Sequence, residues 1–276
     1  MRIQLAILIA LFAFIISIIH AQPTQLTIFA TASLTDVLTE AGALFDSQHN
    51  TQTRFSFGAS STLATQITEG AQADLFLSAN IAQAQHIIEA GLADGDMLIF
   101  AKNRLVVIIP TDNPANIQSL ADLAREGVYI ALAMPDVPIR AYTDQMLEAM
   151  RADSAYGDDF YTHFYANVVI EGANVRQVVT QVALGEADAG VVYASDVTPA
   201  LTIVDIPDEL NVIAEYPLVL LRESANSEMV REFIAFLLSD EGQDLFVKWG
   251  FLSIRPAKSW GWAVMCEANP TWAGCG

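Results

Sequence analysis

The feature that most constrains this chain is an alternation. From Leu26 onward, short apolar runs alternate with segments whose apolar residues recur every three or four positions. Leu26 to Ala30 reads as a buried strand, and Leu34, Val37, Leu38, Ala41, Leu44 and Phe45 follow at helical spacing. Thr53 to Phe57 reads as a second strand, with a helix beginning over Leu63 to Ile67. Asp74 to Ser78 reads as a third, followed by a helix over Ile81 to Ala90. Three β–α units with such short connections predict a parallel sheet covered by helices.

A second series begins at Leu105 to Ile109 and ends at Pro110. Strands are predicted over Val128 to Ala133, Val168 to Ile170, Ala189 to Tyr193 and Leu201 to Ile206, with helices over Pro138 to Met150 and Val175 to Leu184. Ile213 to Leu221 reads as a return strand, and Ser227 to Leu238 and Asp240 to Trp249 as two closing helices. The expected fold class is α/β: two doubly wound lobes joined by a hinge of two chain crossings, near 102–105 and 210–217. Lobe 1 takes residues 22–104 plus 210–254, lobe 2 takes 105–209, and 255–276 form a C-terminal tail. The cleft between such lobes is the default ligand site.

Composition narrows the function. Of 276 residues, 53% are hydrophobic and 16% charged, enough apolar surface for a real core. The formal net charge of −19, with no Lys/Arg cluster, argues against nucleic-acid binding. Four His and two Cys are too few and too scattered for a zinc or iron–sulfur scaffold, and no cofactor is expected. Residues 1–21 read as a secretory signal peptide: Arg2, an apolar run from Leu5 to Ile19, then Ala21 before Gln22-Pro23. The bulky Ile19 leaves an uncleaved N-terminal anchor as the alternative. Either way the remainder is expected outside the cytoplasm, where Cys266 and Cys275 can pair or stay as free thiols.

Enzyme signatures are missing at the serines. Gly58-Ala59-Ser60-Ser61-Thr62 lacks the second glycine of a nucleophile elbow, and no Gly precedes a Lys as in a phosphate-binding P-loop. Glu186 and Asp188 read as a solvated turn rather than an acid/base pair. What stands out is a series of neutral donors at predicted helix starts. Ser33 follows the first strand, with Asp36 at capping-box spacing, and Ser60 opens the second helix. Pro138 occupies a first-turn position ahead of Ile139 and Arg140, and Asn174 caps a helix beginning at Val175. In a doubly wound sheet these starts lie at the carboxyl ends of the strands, each with unpaired N–H groups and about half a positive charge. Any one is an ordinary cap. Together, on both lobes, they describe an anion cage that needs no Lys or Arg.

At these segments the chain resembles the periplasmic molybdate-binding proteins of ABC importers. The resemblance rests on Phe29-Ala30-Thr31-Ala32-Ser33-Leu34, Gly58-Ala59-Ser60-Ser61-Thr62-Leu63-Ala64, Asp74-Leu75-Phe76-Leu77-Ser78, Val137-Pro138, Asn174-Val175-Arg176, Gly190-Val191-Val192-Tyr193-Ala194-Ser195-Asp196 and Tyr216-Pro217, in order across residues 25 to 254. It implies a type II-like periplasmic binding protein, a monomer whose two lobes close on one tetrahedral oxyanion, molybdate or tungstate, and deliver it to a membrane-embedded ABC permease. It also implies ligand contacts from the hydroxyls and amides of Ser33 and Ser60, the amides of Ile139 and Val175, and the hydroxyl of Tyr193. Ile139-Arg140 depart from the small residue and glycine usual after Val-Pro, so Arg140 is a candidate cleft charge. Asp136 is the one acid beside that loop, and a proton acceptor there would suit hydrogenphosphate. The competing readings are a sulfate or phosphate binder, an anchored sensing module, and an exported serine hydrolase using Ser60 or Ser33.

Overall fold

The computed structural model describes residues 22–255. The expected export segment and both cysteines, Cys266 and Cys275, lie outside the described residues. The strands are β1 (Thr24–Thr31), β2 (Thr51–Gly58), β3 (Leu75–Leu77), β4 (Leu98–Pro110), β5 (Ile130–Ala133), β6 (Val168–Gly172), β7 (Ala189–Tyr193), β8 (Leu201–Val204) and β9 (Ile213–Leu220). The α-helices are α1 (Thr35–His49), α2 (Ser60–Thr68), α3 (Ile81–Glu89), α4 (Pro138–Ala152), α5 (Gly157–Ala166), α6 (Val175–Ala183), α7 (Ser227–Leu238) and α8 (Asp240–Lys248). The strand order is β2-β1-β3-β9-β4-β7-β5-β6, with β8 beside β4.

Parallel pairing holds where the sequence predicts it, between β1 and both β2 and β3, and between β5 and both β6 and β7. The sheet as a whole is mixed. β9 runs antiparallel to β3 and β4, and β4 runs antiparallel to β7 and β8. The reason is the route of the chain. β4 carries it out of one half of the sheet and β9 brings it back, so the two point in opposite directions.

β4 is also longer than the apolar run Leu105 to Ile109 suggests. Leu98 to Arg104 pair with β9, and Leu105 to Pro110 pair with β7 and β8. One uninterrupted strand therefore belongs to two sheet sections. Its first half alternates buried Ala101 and Asn103 with partly exposed Lys102 and Arg104, whereas its second half is buried throughout. The other crossing is clipped to it: Asn211 Oδ1 accepts from the Leu105 amide at 3.0 Å, and Asn211 Nδ2 donates to the Leu105 carbonyl at 2.9 Å.

Among the described residues, the α-helix without a counterpart in the sequence reading is α5. Its Phe160 and Phe164 are buried four residues apart, and it starts at Gly157 in the left-handed region, followed by two acids that suit a helix N-terminus. The main apolar core runs through both sections, and a smaller one under α2 and α3 gathers Phe29, Leu63, Ile67, Phe76, Ile87 and Val219.

The packing of α6 on the second section leaves no room at Gly190. A Cβ there would lie 2.8 Å from Val178 Cγ1, 3.0 Å from Val182 Cγ2 and 3.1 Å from the Ala131 carbonyl oxygen. Gly190→Val is expected to destabilise the fold by about 1–3 kcal/mol or more through overpacking, measured by urea unfolding.

Candidate functional site

The carboxyl ends of the strands meet at the junction of the two sections and enclose a small cavity. One wall is Thr31-Ala32, Gly58-Ala59 and Ala79; the other is Val137-Pro138-Ile139, Asn174-Val175 and Tyr193. No lining side chain carries a charge. The cavity is tight, about 10 Å³, close to the space that a single water needs.

The sequence-predicted residues come together here. Ile139, Val175 and Tyr193 are in the wall. Ser33 and Ser60 stand one residue behind the wall residues Ala32 and Ala59, and are 2% and 0% exposed. Ser60 is the first residue of α2, Ile139 the second of α4 and Val175 the first of α6, so their amides have no intrahelical acceptor.

The expected capping pattern is only partly realised. Asn174 does cap α6, its Oδ1 accepting from the Gln177 amide at 3.1 Å. Ser33 does not form a capping box with Asp36. It lies in a 3-10 turn, Ala32–Leu34, ahead of α1, and neither start has a side-chain cap. Its hydroxyl is drawn away by Tyr216, whose Oη lies 3.0 Å from Ser33 Oγ. Ser60 likewise does not cap, because it is already inside α2; its Oγ accepts from the Ala79 amide at 3.0 Å.

Tyr193 is buried, and its hydroxyl makes no hydrogen bond among the described residues. A buried hydroxyl without a partner costs on the order of 1–3 kcal/mol. Burial pushes the phenols of Tyr193 and Tyr216 well above the ordinary tyrosine range, so both stay protonated donors.

The charges near the cavity are engaged elsewhere. Arg140, the candidate cleft charge, donates to Asp144 and Glu171 at 2.9 Å each and lies over the Tyr165 ring. Asp136 accepts from Ser61 Oγ at 3.3 Å. Arg176 joins Asp36 on α1 to Asp196, whose Oδ1 lies 3.0 Å from Arg176 Nε. The Asp36–Arg176 pair spans the two sections, as do the Ser61–Asp136 bond and the donation from Tyr142 Oη to the Ala79 carbonyl at 3.2 Å.

The sequence reading gives no role to Tyr216, Asn103 or the Arg176–Asp196 pair. A signal exists for each. Tyr216 and Asn103 are polar groups inside strand segments, and Asp196 closes a run that is otherwise apolar or small.

A small cavity without a charged side chain, set among helix starts between two α/β sections, fits a ligand-binding protein of two-section architecture. The chain belongs to the bacterial extracellular solute-binding proteins, whose family profile matches residues 26–252. It is 34% identical over 239 residues to the molybdate-binding protein ModA of Mycobacterium tuberculosis, covering 84% of this chain and 87% of that one. Among solved structures it resembles the substrate-binding domain assigned to a molybdenum ABC transporter of Clostridium difficile, with 28% identity and a TM-score of 0.64 over 84% of this chain and all of that one. The sulfate-binding protein SubI of M. tuberculosis shares the fold, with a TM-score of 0.75 at 21% identity over 84% of this chain and 88% of SubI.

Asp196 gives the site a pH signature. Burial, opposed by Arg176, raises its pKa from 3.8 to about 7. Between about pH 4 and 7 the folded state holds a proton that the unfolded chain has released, so this group's contribution to stability falls as pH rises through that window. Asp196→Asn should remove the slope. In urea unfolding at about pH 5 and pH 8, the variant should gain on wild type at the higher pH by at most about 3 kcal/mol.

Proposed function

We propose that the protein captures molybdate or tungstate as a bare tetrahedral dianion in the junction cavity and hands it to an ABC permease in the membrane. The observation that carries this reading is chemical: the cavity offers hydrogen-bond donors and no charged side chain, and one of them, the Tyr193 hydroxyl, is buried without a partner. In this reading Ser33 and Ser60 contribute hydroxyl and amide protons, Ile139 and Val175 contribute amides, and Tyr193 contributes its hydroxyl. The helix starts add their dipoles, and hydrogen bonds to an ionised acceptor are about twice as strong as neutral ones. The acidic surface does not oppose this at contact range, because it is screened beyond about 8 Å at physiological salt.

Donors alone also discriminate. Molybdate and tungstate carry no proton at neutral pH, whereas hydrogenphosphate brings one that needs an acceptor. The neighbouring carboxylates, Asp36 and Asp136, are committed to Arg176 and Ser61. Sulfate satisfies the same donors and differs in size, so it is the control ligand. The sections on either side of Leu105 act as the two lobes, with β4 and the 206–212 crossing as the hinge. The protein is read as acting as a monomer. Export would leave the mature protein outside the cytoplasmic membrane, free in the periplasm or held by its N-terminal segment.

Isothermal titration calorimetry tests the assignment. Molybdate and tungstate should bind with similar heats, and sulfate and phosphate far more weakly; heat with sulfate alone would overturn it. Ser33→Ala and Ser60→Ala should each weaken molybdate binding by about 1.5–3 kcal/mol, the range for bonds to charged groups. Arg140→Ala should change it by less than about 0.5 kcal/mol, because that guanidinium is held by Asp144 and Glu171.

A further inference from the structure

Bonds cross the junction between the sections beside the cavity. Tyr142 Oη donates to the carbonyl of the wall residue Ala79 at 3.2 Å, and Ser61 Oγ donates to Asp136 Oδ2 at 3.3 Å. Arg176 Nη2 donates to Asp36 Oδ2, and this bond alone of the three joins opposite charges. Its two ends are close in the chain to groups assigned to the ligand. Arg176 directly follows Val175, and Asp36 comes one helical turn after Ser33.

Arg176 faces a carboxylate on either side of the junction. Asp196 belongs to its own section, in the 3-10 turn Ala194–Asp196 that follows β7, and its side chain is buried. Asp196 Oδ1 lies 3.0 Å from Arg176 Nε, yet neither atom makes an aligned hydrogen bond, so the contact is one of charge. The aligned hydrogen bond goes the other way, to Asp36 in the first turn of α1. α6 packs on β7 through Val178 and Val182 against Gly190, so Asp196 stays with the arginine when the sections part. The bond to Asp36 does not survive that motion. Asp196 thus keeps the guanidinium near the place where Asp36 meets it, which lowers the ordering cost of forming the bond.

We propose that Asp36 and Arg176 form a latch, made only when the two sections come together, that sets how long the oxyanion is retained rather than which oxyanion is chosen. This rests on the oxyanion reading of the cavity. Neither side chain lines the cavity, so the latch adds the same free energy to the closed arrangement whatever the ligand. Release from a cavity walled by both sections requires them to part, so the latch must break before the ligand leaves. Capture begins from the parted arrangement and does not need it. The latch therefore acts on the dissociation rate. Asp36 also suits a helix start as an acid, a structural contribution that persists when the arginine is removed.

Release of radiolabelled molybdate, chased with an excess of unlabelled molybdate, tests the latch, with affinities from calorimetry. Asp36→Asn should speed release about 3- to 10-fold and weaken affinity by the same factor, the size of one partly exposed, charged hydrogen bond. The association rate and the ratio of molybdate to tungstate affinity should stay as in wild type. In an Arg176→Gln/Asp196→Asn background, where the asparagine spares the protein a buried carboxylate without its counter-charge, Asp36→Asn should have no further effect on release. An unchanged release rate in Asp36→Asn, a loss of affinity carried by slower association, or an equal effect of Asp36→Asn in the background without the arginine would overturn the latch while wild-type molybdate binding stands. Absence of heat from wild type with molybdate and tungstate would instead remove the oxyanion reading and the latch with it.

Discussion

An amide in the first turn of a helix has no carbonyl behind it, and the rest of this structure follows from where those amides are gathered. Parallel pairing within each section places the start of α2 at the carboxyl end of one section's strands and the starts of α4 and α6 at the carboxyl end of the other's, and the strands of the two sections run in opposite directions. Folding the chain into two sections turns those ends toward one another. Among the described residues, the protons that meet at the junction are satisfied neither by their own helices nor, in the case of Tyr193, by a side chain. A cavity assembled this way carries a positive potential without a cationic residue, which is how so acidic a chain can keep a site for an anion.

The surroundings of the cavity keep other charges from competing. Each ionisable group near it is tied to a partner that points it elsewhere. Arg140 lies between Asp144 and Glu171, and Arg176 between Asp36 and Asp196. Burying Asp196 beside an arginine is expensive and leaves a carboxyl that resists ionisation. The cost secures an arginine that reaches across the junction to α1 without entering the cavity.

Much of this was legible in the sequence because it depends on local pattern. Strand and helix periodicities located the β–α units, and the segments around Ser33, Ser60, Ile139, Val175 and Tyr193 could be read as helix starts or strand ends from their neighbours alone. The features that escaped depend on pairs far apart in the chain. Ser33 and Tyr216 are 183 positions apart, and Asp36 and Arg176 are 140 apart. Nothing near Ser33 says that its hydroxyl prefers a phenol to a capping role. The first half of β4 escaped for a related reason. Lys102 and Arg104 face outward there, so the segment lacks a continuous apolar run and reads as a connection. The antiparallel pairings of β4 and β9 were not legible, because return strands carry no mark of direction in their composition.

The unbroken course of β4 through both sections has a mechanical consequence. A change in the angle between the sections cannot be taken up by a slack linker there. It has to be absorbed as twist along a hydrogen-bonded ribbon, with Asn211 pinning the second crossing to its midpoint. Such a joint behaves as a torsion bar. It resists sliding and splaying, yields about a single axis, and returns the donors to the same positions after each excursion.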